Sequence, residues 1–258
     1  MLRGDIAERL LHDFTPDIEA VPGLKEDLLP ARTAPFSRDG RVYAFDSDTP
    51  MVVGWAARTD LCFALAAELV RRLRGAVTVR DETQAFSYFD SRNLLGFVDG
   101  TENPVGQTAA DAALVGEEDP GFQGGSYALV QKYLHDVDAW DALAVEAQEK
   151  VIGRTKLTNL ELDAPGSHKD VNTVLGPDGA EQKILRSAMP FGRPGHGEFG
   201  TYFVAYARTP GIPETMLRKM FLGGPGAGPD PLLDYSRAVT GSLFFIPPAG
   251  FLEALPGG

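Results

Sequence analysis

The stretch SYALVQKYLHDVDAWDALAVEAQEKVIG (126–153) carries a strand and then a helix, and the regions on either side repeat that order. Apolar and polar residues alternate over 126–134, the two-residue period of a strand with one buried face. From 138 the period becomes helical, with Asp138 placed as N-cap and Gly153 just past the end, where a left-handed residue closes a helix. Downstream, KILRSAMPF (183–191), FGTYFVAYAR (199–208) and GSLFFIPP (241–248) are predicted strands. PETMLRKMFLG (213–223) is a predicted helix with Pro213 in its first turn. Upstream, MVVGWAAR (51–58) predicts a strand, DLCFALAAELVRRLRG (60–75) a helix and AVTVRDETQAFSYF (76–89) a further strand. Leu61, Ala64, Leu65, Leu69 and Leu73 give that helix its stripe, and Gly75 stands at its cap.

The pattern predicts an α+β chain of two halves, each an antiparallel sheet with helices on one face. A Gly-, Asp- and Asn-rich turn segment, Asp90 to Gly106, divides them, so the halves are expected over 1–90 and 91–258. The first is short: Ile6 to Phe14 is weakly amphipathic, and Pro16 to Pro35 is irregular. GGPGAGPDP (223–231) follows a helix instead of joining a strand to a helix start, so it is a connecting loop and not a phosphate cradle.

Composition removes several functions. With 258 residues and 43% apolar content the chain can bury a sizeable core. A formal charge of -12 excludes the basic footprint of a nucleic-acid binder. Cys62 is the only cysteine, which excludes an intrachain disulfide or a thiolate cluster and fits a reducing compartment. No leader pattern or membrane-length apolar run is present, so a cytoplasmic location is expected, with no membrane or nucleic-acid partner.

Neither H-x₃₋₅-H nor C-x₂-C occurs, so no structural zinc site is expected. Four histidines remain as single ligands: His12 beside an acid, His135 at a strand end, His168 in DAPGSHKDVNT and His196 in a Gly-rich loop. Local context separates none of them from ordinary surface or turn histidines. The most distinctive segment is SRNLLGFVDGTENP (91–104), an apolar run ending in an Asp-Gly turn. Gly100 permits a positive φ, so Asp99 is either projected into a pocket or held in an Asx turn.

GFVDGTENP (96–104) resembles the GxxDG signature of dye-decolorising haem peroxidases. IGRTKLTNLELD (152–163), ILRSAMPFG (184–192), FGTYFVAYART (199–209), MFLG (220–223) and AVTGSLFFIPP (238–248) resemble later segments of that family's bacterial B-type branch, in the same order. The resemblance runs from about Asp60 to Phe251 and implies two ferredoxin-like halves of the dimeric α+β barrel type, the N-terminal one incomplete. It implies haem b as cofactor, with hydrogen peroxide and a one-electron donor such as a dye or phenol as partners, and a homo-oligomer. By position, His168 resembles the axial iron ligand. Asp234 resembles the acid hydrogen-bonded to that imidazole, and Arg154 a partner of a haem propionate. Asp99 resembles the acid that moves a proton between the peroxide oxygens, and Arg186 the guanidinium that stabilises charge as they separate.

Ala188 departs from the pattern, since the family usually carries Asn two residues after the distal arginine. A haem-handling protein with weak peroxidase activity is therefore the alternative, followed by a binding module that has lost haem. Glu102 and Glu161 are weighed as manganese ligands against a solvated acidic face, and Trp140, Tyr133 and Tyr235 as electron carriers against core packing. The chain ends FLEALPGG, without an encapsulin-targeting pattern, so loading into a nanocompartment is not expected.

Overall fold

A computed structural model describes residue 53, residues 58–224 and residues 226–248. Its centre is an antiparallel sheet of four strands, β1 Ser126–His135, β2 Leu185–Arg193, β3 Glu198–Ala207 and β4 Ser236–Ile246, ordered β2-β3-β1-β4. Helices accompany the sheet, which makes the fold α+β as expected. β1 is a central strand, pairing Leu129 with Ala205 on one side and with Leu243 on the other. β2 lies at an edge, held on β3 by pairs such as Arg186 with Ala205.

One face of the sheet supplies Leu129, Tyr133, Ala205 and Ala207 to the main core. Against it packs α6, Gly211–Leu222, which buries Met216, Leu217, Met220 and Phe221. The 3.6-residue period sets these four on one stripe, because residues three to four apart share a helix face. A second core joins Leu95 and Phe97 to Trp140 and Ile152, so the distinctive turn segment is anchored from behind.

Four expectations are corrected. The helix predicted over 138–153 is two, α3 Val137–Asp141 and α4 Val145–Ile152. Asp136, not Asp138, caps the first, accepting the Ala139 N–H at 3.0 Å. Ala144 is extended between them, and the buried Gln148 amide donates at 2.8 Å to the Trp140 carbonyl, which also accepts the Leu143 N–H at 3.1 Å. Burial of Trp140 thus overrides a continuous helical pattern. Gly153 closes α4 in the left-handed region, as expected.

The strand predicted over 76–89 does not form, although Phe86 donates its N–H to Pro190 O at 2.9 Å. Alternation yields a strand only where a neighbour takes the backbone groups in register. The 60–75 helix is α1, Thr59–Arg72, followed by the short α2, Gln107–Ala113; no residue of α1 is buried, so its leucine stripe has no core against it among the described residues. The last strand begins earlier than predicted, at Ser236. The 51–58 strand, apart from Val53 and Arg58, and the whole of 1–50 lie outside the described residues.

Candidate active site

A cavity of about 410 Å³ opens where the sheet, α6 and the 91–103 turn meet, and His168, Asp99, Arg186, Arg154, His135 and Ala188 all line it. That size suits a small-molecule or cofactor site. The four lining residues expected to act together, Asp99, Arg154, His168 and Arg186, stand on four separate segments of the chain.

His168 opens a one-turn helix, α5 His168–Val171, whose N-cap is Ser167. Gly153, at φ +90°, lets α4 end directly against this cap: a Cβ there would lie 2.5 Å from Ser167 Oγ. The imidazole is fixed by Asp230, whose Oδ2 lies 2.6 Å from Nδ1. Asp230 is fully buried; its Oδ1 accepts the Leu232 N–H at 2.9 Å, and Asn172 Nδ2 donates to Oδ2 at 3.1 Å. Burial raises the Asp230 pKa, but the His168 charge and the bonds from His168, Leu232 and Asn172 outweigh it and hold the carboxyl below its ordinary value. In the neutral imidazole a carboxylate on Nδ1 keeps the proton there, so that Nε2 carries the lone pair.

This arrangement corrects one residue assignment. The imidazole's acid is Asp230, whereas Asp234 lies exposed at the end of the 3₁₀ turn Pro231–Asp234. Asp230 is the N-cap of that turn. It stood inside a Gly- and Pro-rich loop, and the Asp-Pro pair, an N-cap followed by Pro at the first position, was the available signal.

The opposing groups are Asp99 and Arg186. Gly100, at φ +79°, turns the chain just after Asp99, whose N–H donates to Ser91 O at 2.9 Å. Oδ2 of Asp99 is buried and has no hydrogen-bond partner among the described residues. Burial pushes the Asp99 pKa up to about 6, against the charges of Arg186 and His168 and a bond from Asn93. Arg186 projects from β2; burial lowers its pKa, and the Asp99 charge acts in the opposite direction. A buried carboxylate oxygen with no partner among the described residues, near a guanidinium and in the same cavity as the His168 imidazole, suits a polar ligand placed between them.

Arg154 pairs with Glu102 and donates Nη1 to Asn159 O at 2.9 Å. Glu102 also meets Lys183 at 3.5 Å, while Glu161 pairs with Lys169 at 2.6 Å and does not line the cavity. Among the described residues no three His, Cys, Asp or Glu side chains gather as a metal site.

The other histidines are engaged or remote. His135 has Nδ1 at 2.6 Å from Ser236 Oγ and Nε2 at 2.8 Å from Thr201 Oγ1, and burial pushes its pKa down to about 4. Both ring nitrogens are occupied, which is more than the turn role expected of it. His196 is exposed, and His12 lies outside the described residues. Trp140 is fully buried, donates to Leu95 O at 3.0 Å and meets Tyr235 edge-on at 5.2 Å. Tyr133 is buried and donates to Gln131 Oε1 at 3.0 Å. These contacts give the aromatics packing roles.

Residues 90–251 match the family described as Dyp-type peroxidase, C-terminal. A dye-decolorizing peroxidase of Mycolicibacterium paratuberculosis is 53% identical over 205 residues, 78% of this chain and 58% of its own length. One of Mycobacterium tuberculosis is 51% identical over 205 residues, 78% of this chain and 61% of its own. The chain therefore spans about three fifths of the curated relatives it matches. A DypB variant of Rhodococcus jostii RHA1, solved in complex with heme, superposes with a TM-score of 0.79 at 43% identity, covering 98% of this chain and 92% of that one.

Proposed function

We propose that this chain, which belongs to the Dyp-type peroxidase family, binds haem b through His168 and reduces hydrogen peroxide at the expense of one-electron donors. The observation that carries the reading is the imidazole of His168, which lines the cavity, is tied at Nδ1 to a buried Asp230 and makes no hydrogen bond at Nε2 among the described residues. A redox cofactor held by one imidazole needs that geometry and an apolar slot. Haem, when bound there, supplies the iron that exchanges electrons with peroxide.

The chain's own groups supply the rest. Asp230 holds the tautomer and makes the imidazole a stronger donor. Asp99, with a pKa near neutral, accepts the proton of the oxygen nearer the cofactor and returns it to the departing one. Arg186 stabilises the negative charge on that oxygen without reorganising. Each peroxide takes two electrons and two protons and leaves as two waters, the electrons coming from dyes, phenols or similar donors. Arg154 would meet a haem propionate once Glu102 releases it. Residues 91–258 form the haem-carrying half, 1–90 the other; we place the protein in the cytoplasm as a homo-oligomer.

The test is the absorption spectrum after haem addition and then after peroxide. A Soret band that changes within milliseconds of peroxide mixing is expected, and His168→Ala should lose stable haem; haem occupancy equal to the wild type's would remove His168 as ligand. A second reading, haem handling with weak turnover, is favoured by Ala188, which brings a methyl to the cavity wall beside Arg186. A stable Soret band with no fast peroxide step would select it.

A further inference from the structure

We infer that Asn103 is a positioning residue for the peroxide side of the pocket, setting the Arg186 backbone against the turn that carries Asp99. The inference rests on the peroxidase reading above. The Asn103 side chain makes two hydrogen bonds to one residue 83 positions away: Nδ2 donates to Arg186 O at 2.7 Å, and Oδ1 accepts the Arg186 N–H at 3.0 Å. A carboxamide presents a donor and an acceptor side by side. It therefore pairs with a strand residue as a one-residue neighbouring strand would.

Arg186 sits where such a rung is needed. It belongs to β2, the edge strand, and is the second residue of that strand. β2 meets β3 on one side, and the N–H and carbonyl of Arg186 are the ones turned toward Asn103 on the other. At the other end of the link, the Asn103 N–H donates to Gly100 O at 3.1 Å, closing the turn directly after Asp99. One side chain thus ties the two acting groups together through backbone on both sides. The geometry matters because Asp99 Oδ2 has no hydrogen-bond partner among the described residues and Arg186 opposes its desolvation by charge alone. Nothing else on the 91–104 turn bonds to the Arg186 backbone.

The experiment compares Asn103→Ala, Asn103→Asp, Arg186→Ala and the Asn103→Ala/Arg186→Ala double variant in the haem-loaded full chain. Three quantities are measured: the Soret band, fluoride affinity of the ferric protein, which senses the distal donor without turnover, and the rate constant for peroxide with its pH profile. Asn103→Ala should keep the Soret band, weaken fluoride and slow peroxide by about ten-fold or more, since small displacements of a catalytic group cost that much. Its pH profile should shift as the Arg186 charge moves relative to Asp99. Asn103→Asp keeps the acceptor but loses the donor, and should fall between wild type and alanine. In the Arg186→Ala background, Asn103→Ala should add almost nothing.

An equal effect of Asn103→Ala with and without Arg186 would reduce Asn103 to a structural tie and overturn the inference. So would unchanged fluoride affinity and peroxide rate in a haem-loaded Asn103→Ala. Absence of a Soret band in the wild type would instead overturn the peroxidase reading, and the inference with it. Amide exchange in the haem-free chain gives an independent readout, because the Arg186 N–H should exchange faster in Asn103→Ala; equal protection would sink the clamp itself.

Discussion

At the level of single residues, the pocket is a set of polar groups whose states are fixed by what each one touches. His168 and His135 are both cavity-lining imidazoles, yet two hydroxyls occupy both nitrogens of His135, while one carboxylate leaves Nε2 of His168 available. Asp230→Asn keeps an acceptor for the Leu232 N–H, so the turn should survive, but the imidazole loses its anion. Haem affinity or peroxide rate should fall by about ten- to a hundred-fold, measured by haem titration and stopped-flow mixing; an unchanged value for both would leave Asp230 a cap alone.

Asp99 gives a prediction with a definite sign. Its folded pKa of about 6 stands above the ordinary 3.8, so the folded state holds the proton more tightly than the unfolded one. Stability therefore falls as pH rises between those values, and the cost is fully present above about 6. Asp99→Asn should raise the melting temperature of the haem-free protein at pH 7, a gain that disappears below pH 4. With haem bound the same variant should react with peroxide about a hundred-fold more slowly or worse. A melting gain that is equal at both pH values would refute the burial argument.

At the level of elements, the pocket depends on how short pieces end. α5 is a single turn with little stability of its own. It is held by the Ser167 cap, by Gly153 behind that cap, and by Asn172, which donates to His168 O at 2.7 Å. Gly153→Ala would force an L residue into the left-handed region and a methyl into Ser167 Oγ. We expect about 1–2 kcal/mol of destabilisation from the backbone alone, together with weaker haem binding, as α5 must shift. Denaturant unfolding and haem titration would check both, and a loss of stability with haem affinity intact would show that the displacement does not reach His168.

The same level explains which elements could be foreseen. Strands β1 to β4 and α6 were legible because an alternating or 3.6-residue pattern coincides with a buried face. The 76–89 segment carried the alternating pattern too, but a strand requires a partner in register, which local pattern does not specify. The α3–α4 break was hidden for the opposite reason: helix propensity continues through Ala142 and Ala144, and a distant core contact decides the geometry.

At the level of the whole molecule, two of the hydrophobic cores bear on the pocket. The main one joins sheet to α6 and forms one wall of the cavity; the second stands behind the 91–104 turn. Trp140 links the second core to the site, since its indole N–H donates to Leu95 O and its ring meets Phe97 edge-on at 6.0 Å. Trp140→Ala should cost about 3–5 kcal/mol of stability and loosen the turn that carries Asp99. Trp140→Phe restores most of the volume but not the donor, so it should recover stability more fully than peroxide rate. Equal recovery of both would assign Trp140 to packing alone. Among the described residues no helix is long and apolar enough to cross a membrane.

By itself, the sequence determined the fold class, the approximate places of the four strands and of α6, and the family, because periodicity and contiguous motifs are properties of neighbouring residues. It also brought forward Asp99, since an Asp-Gly turn after an apolar run is a local signal. His168 was nearly silent in its own neighbourhood and became a ligand candidate only through resemblance. The tertiary structure alone decided that Asp230 and not Asp234 holds the imidazole, that His135 is fully engaged, and that Asn103 spans to Arg186. These are contacts between segments far apart in the chain, and a local pattern contains no information about which distant carboxylate or carbonyl comes to lie within 3 Å.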